Sequence, residues 1–195
     1  MTEINLEDFT EFSKIKNFYN DNCHDKHALR EFLNNVVMNI DEDCNNGNGN
    51  MLPDLSDIYV LVSNKDFPFK KLTSNQKLTI DLSAAKKNYI LGYIWLSPFV
   101  IENEGCLPYH FINFIDSRIS GLNIAKYMIN KYQETEEEKN LFPFQVISGA
   151  KNYWKKYFME EYEIKNRTEL SQMISEFGFK SSCIRWEELL SAFEV

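Results

Sequence analysis

Apolar side chains recur along the chain with two periods, one typical of helices and one typical of strands. Spacings of three in LEDFTEFSKIKNFYN (residues 6–20) predict an amphipathic helix, and HALREFLNNVVMNI (27–40) predicts a second one. Dense β-branched and aromatic residues in IYVLVS (58–63), NYILGYIWLSPFVI (88–101) and YHFINFI (109–115) predict strands. The first half of the chain is therefore predicted to form two helices followed by a sheet.

The second half continues with alternating helices and short strands. Its predicted elements are, in order, a helix over 121–133, a strand over 143–147, helices over 149–161 and 168–177, and a closing strand over 182–189. Gly92, inside the longest predicted strand, indicates a bulge. This order predicts a single α/β domain with a mixed sheet over 1–195, in which the core spans 58–158, the N-terminal helices 6–40 and the C-terminal elements 162–195.

Polar stretches interrupt this pattern in two long segments and one short turn. DEDCNNGNGNMLPDLSD (41–57) is rich in Asn, Gly and Asp, which predicts a mobile loop. Residues 64–87 form a polar excursion in which KLTIDL (77–82) is a candidate short strand, and ENEG (102–105) is a predicted turn. Neither long segment carries a recognisable motif.

The composition narrows the class of protein. The chain has 195 residues, is 44% hydrophobic and contains 15 Phe and 10 Tyr, which is enough for a large aromatic core. Its formal net charge of -8 comes without a Lys/Arg cluster, so we expect no nucleic-acid partner, whereas an acidic surface can attract amines. We expect no secretory signal and no membrane span, and the scattered cysteines predict reduced thiols in a cytoplasmic protein.

The stretch DSRISGLNIAKYMI (116–129) marks the transition from a strand to a helix and is the main candidate site. The first N–H groups of a helix lack intrahelical partners and carry the positive end of its dipole, so they attract anions. Gly121 lets the backbone approach a ligand, and Arg118 and Ser120 are additional donors. These features predict a site for phosphate or pyrophosphate. The alternative is an ordinary helix start that Ser120 caps.

This stretch resembles the acetyl-CoA pyrophosphate loop of the GNAT superfamily of N-acetyltransferases. The family pattern is Gln/Arg-x-x-Gly-x-Gly/Ala; Arg118 and Gly121 match it, and Asn123 departs from it. YILGYIWL and YHFINFIDS resemble two of the family's strands. The resemblance implies a GNAT-type mixed sheet preceded by two N-terminal helices.

The resemblance also implies a reaction, the transfer of an acetyl group from acetyl-CoA to an amine, carried by a small molecule or a protein. The cofactor residues that it implies lie in the strand and in the loop after it: Asn113, Phe114, Ile115, Arg118, Ile119, Ser120, Gly121, Leu122 and Asn123. Asn113 to Ile115 would pair with the pantetheine amides. A backbone N–H of the strand would polarise the thioester carbonyl. Acceptor contacts are expected from the N-terminal helices and the two long polar segments.

The resemblance also implies a tyrosine that protonates the departing thiolate, in a helix after the fourth core strand. If GAKNYWKKYF (149–158) is that helix, Trp154 stands at the tyrosine position, and Tyr153 and Tyr157 are the neighbouring candidates. A second register through SQMISEFGFK (171–180) places Ile174 there, which has no proton to donate. His110 is a candidate base because imidazole titrates near neutral pH. Aromatic packing and an ordinary strand-end histidine are the respective alternatives.

Two further expectations complete the prediction. DNCHDKH (21–27), with Cys44 downstream, lacks the four regularly spaced ligands of a structural zinc site, so we expect no metal. Asn123 and the missing tyrosine also leave a second function open, a catalytically degenerate GNAT-fold protein that binds or regulates. A homodimer through pairing of sheet edges is a further option.

Overall fold

The computed structural model describes residues 4–15, 58–77, 89–101, 105–135, 140–177 and 186–194. Several predictions fall outside these residues: the helix over 27–40, the loop over 41–57, residues 78–82 of the candidate short strand, residues 102–104 of the turn, residues 182–185, and Cys23, His24, His27 and Cys44.

The described chain is an α/β protein with a five-stranded mixed sheet of order β1-β2-β3-β4-β5. The strands are β1 (Thr10–Lys14), β2 (Ile58–Ser63), β3 (Ile90–Ile101), β4 (Gly105–Ser117) and β5 (Asn140–Pro143). The helices are α1 (Leu6–Phe9), α2 (Ser74–Lys77), α3 (Ile124–Thr135), α4 (Lys151–Glu161), α5 (Arg167–Glu176) and α6 (Glu187–Ala192), with short 3₁₀ turns at Phe69–Lys71 and Ser148–Ala150. Most predicted elements are therefore confirmed in type.

The predicted N-terminal helix over 6–20 is wrong over residues 10–14, which form a strand; residues 16–20 lie outside the described part of the chain. Helix α1 ends at Phe9, and β1 follows it and pairs antiparallel with β2, with Thr10 opposite Ser63. The Phe12 ring stacks on Tyr59 with ring centroids 5.4 Å apart. A spacing of three between apolar residues suits a helix, but the ladder along β2 satisfies the backbone of this segment and decides for a strand.

Two predicted strands of the second half differ from the structure, one in position and the other, in its described part, in type. The strand predicted over 143–147 lies at β5 instead, because Leu141 and Phe142 are fully buried whereas Gln145 and Ile147 are exposed. The described part of the segment predicted as a closing strand is helix α6. Leu189 of the helix and the two flanking residues, Trp186 and Phe193, are buried and recur at helical spacing rather than in alternation.

The predicted bulge at Gly92 is confirmed. Leu61 of β2 lies opposite Gly92, whereas Val62 lies opposite Ile90, so Leu91 is the extra residue of β3. A Cβ at Gly92 would lie 2.7 Å from the carbonyl oxygen of Asp116 and 2.9 Å from Cγ2 of Ile124. Glycine thus allows the end of β4 and the start of α3 to lie against β3.

The residues form two compact units, and the long strands β3 and β4 run through both. The first comprises 1–97 and 115–140, and one cluster of its buried side chains consists of Leu6, Leu61, Phe67, Leu72, Leu91, Ile119, Ile124 and Met128. The second comprises 98–114 and 141–195, and its core is an aromatic cluster in which Phe142 contacts Phe111, Phe158, Tyr162, Phe177 and Trp186.

Candidate functional site

The loop over 118–123, the predicted anion site, belongs to the first unit and is fixed at its base. The backbone N–H of Arg118 donates to the carbonyl of Leu91 at 2.9 Å, which ties the start of the loop to β3. Ile119 is fully buried in the core, so only its backbone is available to a ligand. The hydroxyl of Ser117 donates to the Ile119 carbonyl at 3.2 Å. These contacts fix the positions of residues 118 and 119, from which the rest of the loop extends.

The tip of the loop has an unusual backbone. Gly121 has φ = 77° and Asn123 has φ = 53°, with Leu122 in the ordinary negative range between them. Backbone that alternates between right- and left-handed conformations turns successive N–H groups toward one concave side and forms an anion-binding nest. Asn is among the non-glycine residues that adopt a left-handed conformation most readily, which accounts for Asn at position 123.

The loop glycine is required by its conformation rather than by space. A Cβ at Gly121 would lie 3.5 Å from Nε2 of Gln76, an ordinary contact, and would meet no other described atom within 4 Å. The Cβ would therefore lie on the side of α2. We conclude that the positive φ, which a β-branched residue tolerates poorly, is what calls for glycine here.

Helix α3 starts at Ile124, later than the predicted start at 121. Its first intrahelical bond runs from Tyr127 N–H to the Asn123 carbonyl at 2.9 Å. The amides of the first turn therefore lack partners within the helix, and that turn contains the exposed Lys126 and no acidic residue. The alternative that Ser120 caps this helix is wrong. The capping position is the residue directly before Ile124, which is Asn123, and Ser120 lies three residues before Asn123.

A side chain that the sequence analysis did not single out contacts this loop. Nε2 of Gln76 in α2 donates to the Ser120 carbonyl at 3.0 Å. Its Oε1 accepts from the Thr73 N–H at 2.9 Å, and the Gln76 N–H donates to the Thr73 hydroxyl at 3.3 Å. The signal in the sequence was the Thr-x-x-Gln pattern at 73–76, a capping box inside the polar excursion.

A cleft of about 390 Å³ borders the loop within the first unit. Its lining comes from residues 4–6, from Leu122 and Asn123 of the loop, and from Lys126, Tyr127 and Asn130 of α3. Lys131 of α3, which lies outside this lining, donates to Glu7 of α1 at 3.0 Å and to Glu134 of its own helix at 2.8 Å. The lining combines amide, ammonium and apolar groups, which suits a ligand with both anionic and apolar parts.

Arg118 is half-buried, and the positive charge of its guanidinium acts on the Tyr93 hydroxyl. Burial raises the pKa of the Tyr93 hydroxyl well above its usual range; the charge of Asp116 raises it further, and that of Arg118 lowers it. Tyr93 therefore stays neutral at any physiological pH. The two opposite charges at the end of β4 lie close enough to this hydroxyl to act on it.

The candidate pantetheine residues lie near the middle and end of β4. Asn113 and Ile115 are half-buried, Phe114 is 36% exposed, and His110 is half-buried. The Phe144 N–H donates to the Ile112 carbonyl at 2.9 Å, which joins β4 to the chain just after β5. Ile115 belongs to the first unit with the loop, whereas His110, Asn113 and Phe114 belong to the second.

The two candidate proton donors of the second unit have different surroundings. The buried Tyr157 hydroxyl donates to the Leu141 carbonyl at 3.3 Å, and its ring packs edge-on against Trp154. The Tyr153 hydroxyl is buried and has no hydrogen-bond partner among the described residues. Burial is the main cause that raises the pKa of Tyr153 above its usual range, so the group is a protonated donor without an acceptor. Trp154 is 4% exposed and packs in the core.

No family model, curated protein or solved structure matches this chain. Among the described residues, no helix is long and apolar enough to cross a membrane. The same residues contain no group of three or more His, Cys, Asp or Glu side chains placed to bind a metal ion.

Proposed function

We propose that this protein is an acyl-CoA-dependent N-acetyltransferase that transfers an acetyl group from acetyl-CoA to an amine. The observation that carries the proposal is the backbone of residues 121–123, which alternates in the sign of φ immediately before the N-terminus of α3. Such a backbone suits a pyrophosphate, because its N–H groups and the helix dipole both favour an anion. The GNAT-like pattern of Arg118 and Gly121 at this position supports acetyl-CoA as the ligand whose pyrophosphate binds here.

Besides binding acetyl-CoA, the protein must supply a base, a donor that stabilises the developing oxyanion, and an acid. A neutral amine attacks the thioester carbon, and a base, for which His110 is the candidate, takes its proton. A backbone N–H of β4 stabilises the negative charge that develops on the carbonyl oxygen. The carbon–sulfur bond then breaks, and a donor protonates the departing thiolate. Tyr153 suits the last task because its hydroxyl is protonated, buried and without another acceptor among the described residues.

A second function is favoured by one observation. Trp154, which takes the tyrosine position in the family register, is buried and packs edge-on against both Tyr153 and Tyr157. An aromatic core at this position would also serve a GNAT-like protein that has lost catalysis and acts by binding or regulation.

Isothermal titration with acetyl-CoA tests the first function. We expect saturable binding, and thiol release in the presence of a suitable amine from a panel. Absence of binding at high micromolar acetyl-CoA would remove the acetyltransferase. Binding without thiol release for any amine would favour the regulatory protein.

Substitution at Gly121 tests the loop. We expect Gly121→Val to weaken acetyl-CoA binding about tenfold, because a left-handed conformation costs an ordinary residue roughly 1–2 kcal/mol. Gly121→Asn is the matched control: it adds a side chain but tolerates a positive φ, so its dissociation constant should stay within about threefold of the wild type. Titration calorimetry measures both variants, and circular dichroism verifies that they fold.

Two results would contradict this assignment. Unchanged affinity in a folded Gly121→Val protein would mean that the loop does not hold the ligand. Equal losses for the Val and Asn variants would mean that the added side chain, rather than the backbone conformation, obstructs the ligand.

Arg118→Ala should weaken binding less than Gly121→Val, because it leaves the backbone N–H groups in place.

A further inference from the structure

Gln76 stands out among the residues of the polar excursion because both ends of its side-chain amide are engaged. Its Oε1 accepts from the Thr73 N–H at 2.9 Å and from the Thr73 hydroxyl at 3.1 Å. Its Nε2 donates to the Ser120 carbonyl at 3.0 Å. Because the oxygen is held by the backbone N–H of Thr73, which can only donate, the NH₂ group is the one that faces Ser120.

The bond to Ser120 fixes the orientation of one peptide group in the loop. In a trans peptide the carbonyl and the following N–H point in opposite directions, and the described residues contain no cis peptide. The Ser120 carbonyl faces α2, so the Gly121 N–H is directed away from α2. Gly121 is also the residue at which the alternation of φ begins. Gln76 thereby sets the direction of the first donor of the nest.

We propose that Gln76 is a positioning residue that holds the loop over 118–123 in its anion-binding conformation, an inference that rests on the proposed function. A capping box accepts either Gln or Glu at this position, so helix α2 by itself does not require the amide. The bond to Ser120 does require it, because a carboxylate has no proton to donate. A carboxylate would also face the Ser120 carbonyl with a second acceptor and add negative charge beside the anion site.

Gln76→Glu therefore separates the two roles of the side chain. It retains the acceptor for Thr73 and loses the donor for Ser120. Asn75→Asp is the matched control, because it makes the same amide-to-acid change on the neighbouring exposed residue of α2. We expect similar thermal midpoints for the two variants. The dissociation constant of acetyl-CoA should rise about tenfold for Gln76→Glu and at most twofold for Asn75→Asp.

A second probe, inorganic pyrophosphate, makes failure of this inference distinguishable from failure of the proposed function. The ¹⁵N–¹H resonance of Gly121 is followed during titration with pyrophosphate, and we expect it to shift in the wild type and to shift far less in Gln76→Glu. If pyrophosphate binds in this Gln76-dependent manner but acetyl-CoA does not bind, the positioning role stands and the acetyltransferase fails. Equal affinities of both ligands for Gln76→Glu and Asn75→Asp would overturn the role of Gln76 and leave the function standing. If neither ligand binds the wild type, both proposals are overturned.

Discussion

Tyr153→Phe is expected to lower the turnover number about a hundredfold and to leave the dissociation constant of acetyl-CoA nearly unchanged. A group that protonates the departing thiolate acts in the transition state and contributes little to ground-state binding. General acid assistance is typically worth about a hundredfold or more in rate. The Tyr153 hydroxyl has no hydrogen-bond partner among the described residues, so no described bond has to break before it donates its proton. Thiol release with an acceptor amine measures turnover, and calorimetry measures binding.

The same variant should keep or gain stability. A buried donor without a partner costs roughly 1–3 kcal/mol, so removal of the hydroxyl relieves a penalty rather than breaking a bond. Loss of turnover together with an unchanged or higher thermal midpoint would separate a catalytic group from a packing group.

Tyr157→Phe is the matched control on the same helix. It removes a donor to the Leu141 carbonyl and a hydrogen bond with the Tyr162 hydroxyl. Because the Tyr162 hydroxyl still donates to that carbonyl at 3.4 Å, we expect a loss of about 1–2 kcal/mol. Its turnover should match that of the wild type. Trp154→Phe should lower stability through lost packing and affect the chemistry less. Full turnover in Tyr153→Phe would mean that water protonates the thiolate or that no acetyl transfer occurs.

Gly92→Ala is expected to destabilise the protein by about 1–3 kcal/mol, the usual cost of an added methyl group in a packed core. The new Cβ would lie 2.7 Å from the Asp116 carbonyl oxygen and 3.1 Å from Cε of Met128. The backbone oxygen cannot rotate away, so the end of β4 or the start of α3 must move. For a chain of this length the thermal midpoint should fall by roughly 2–4 °C for each kcal/mol.

Because Asp116 and Ile124 flank the loop over 118–123, this movement should also weaken acetyl-CoA binding. Gly149→Ala is the control, since a Cβ there meets no described atom within 4 Å, and its stability should be unchanged or slightly higher. Thermal unfolding of both variants measures the difference. Equal midpoints for Gly92→Ala and Gly149→Ala would contradict the close approach of β3, β4 and α3.

The candidate site was only partly predictable from the sequence. The Arg-x-x-Gly pattern and the following helical periodicity located the loop over 118–123 and the helix after it, because both depend on neighbouring residues. The sequence gives no reason to prefer Tyr153 or Tyr157 as the proton donor. Only the structure shows that the Tyr153 hydroxyl has no hydrogen-bond partner among the described residues, whereas the Tyr157 hydroxyl donates to the Leu141 carbonyl. Gln76 lies far along the chain from Ser120, and no local pattern links them.

The sequence by itself determined β2 and α3, because six consecutive apolar or small residues in one case and a continuous helical stripe in the other leave no competing local structure. Only the tertiary structure decided β1, where a spacing of three suits a helix but the open edge of β2 supplies backbone partners to a strand. It also placed β5 before its predicted start and turned the segment from Trp186 into a helix. The physical reason is the same in each case: a short segment of few apolar residues gains more from the surface it packs against than from its own propensity.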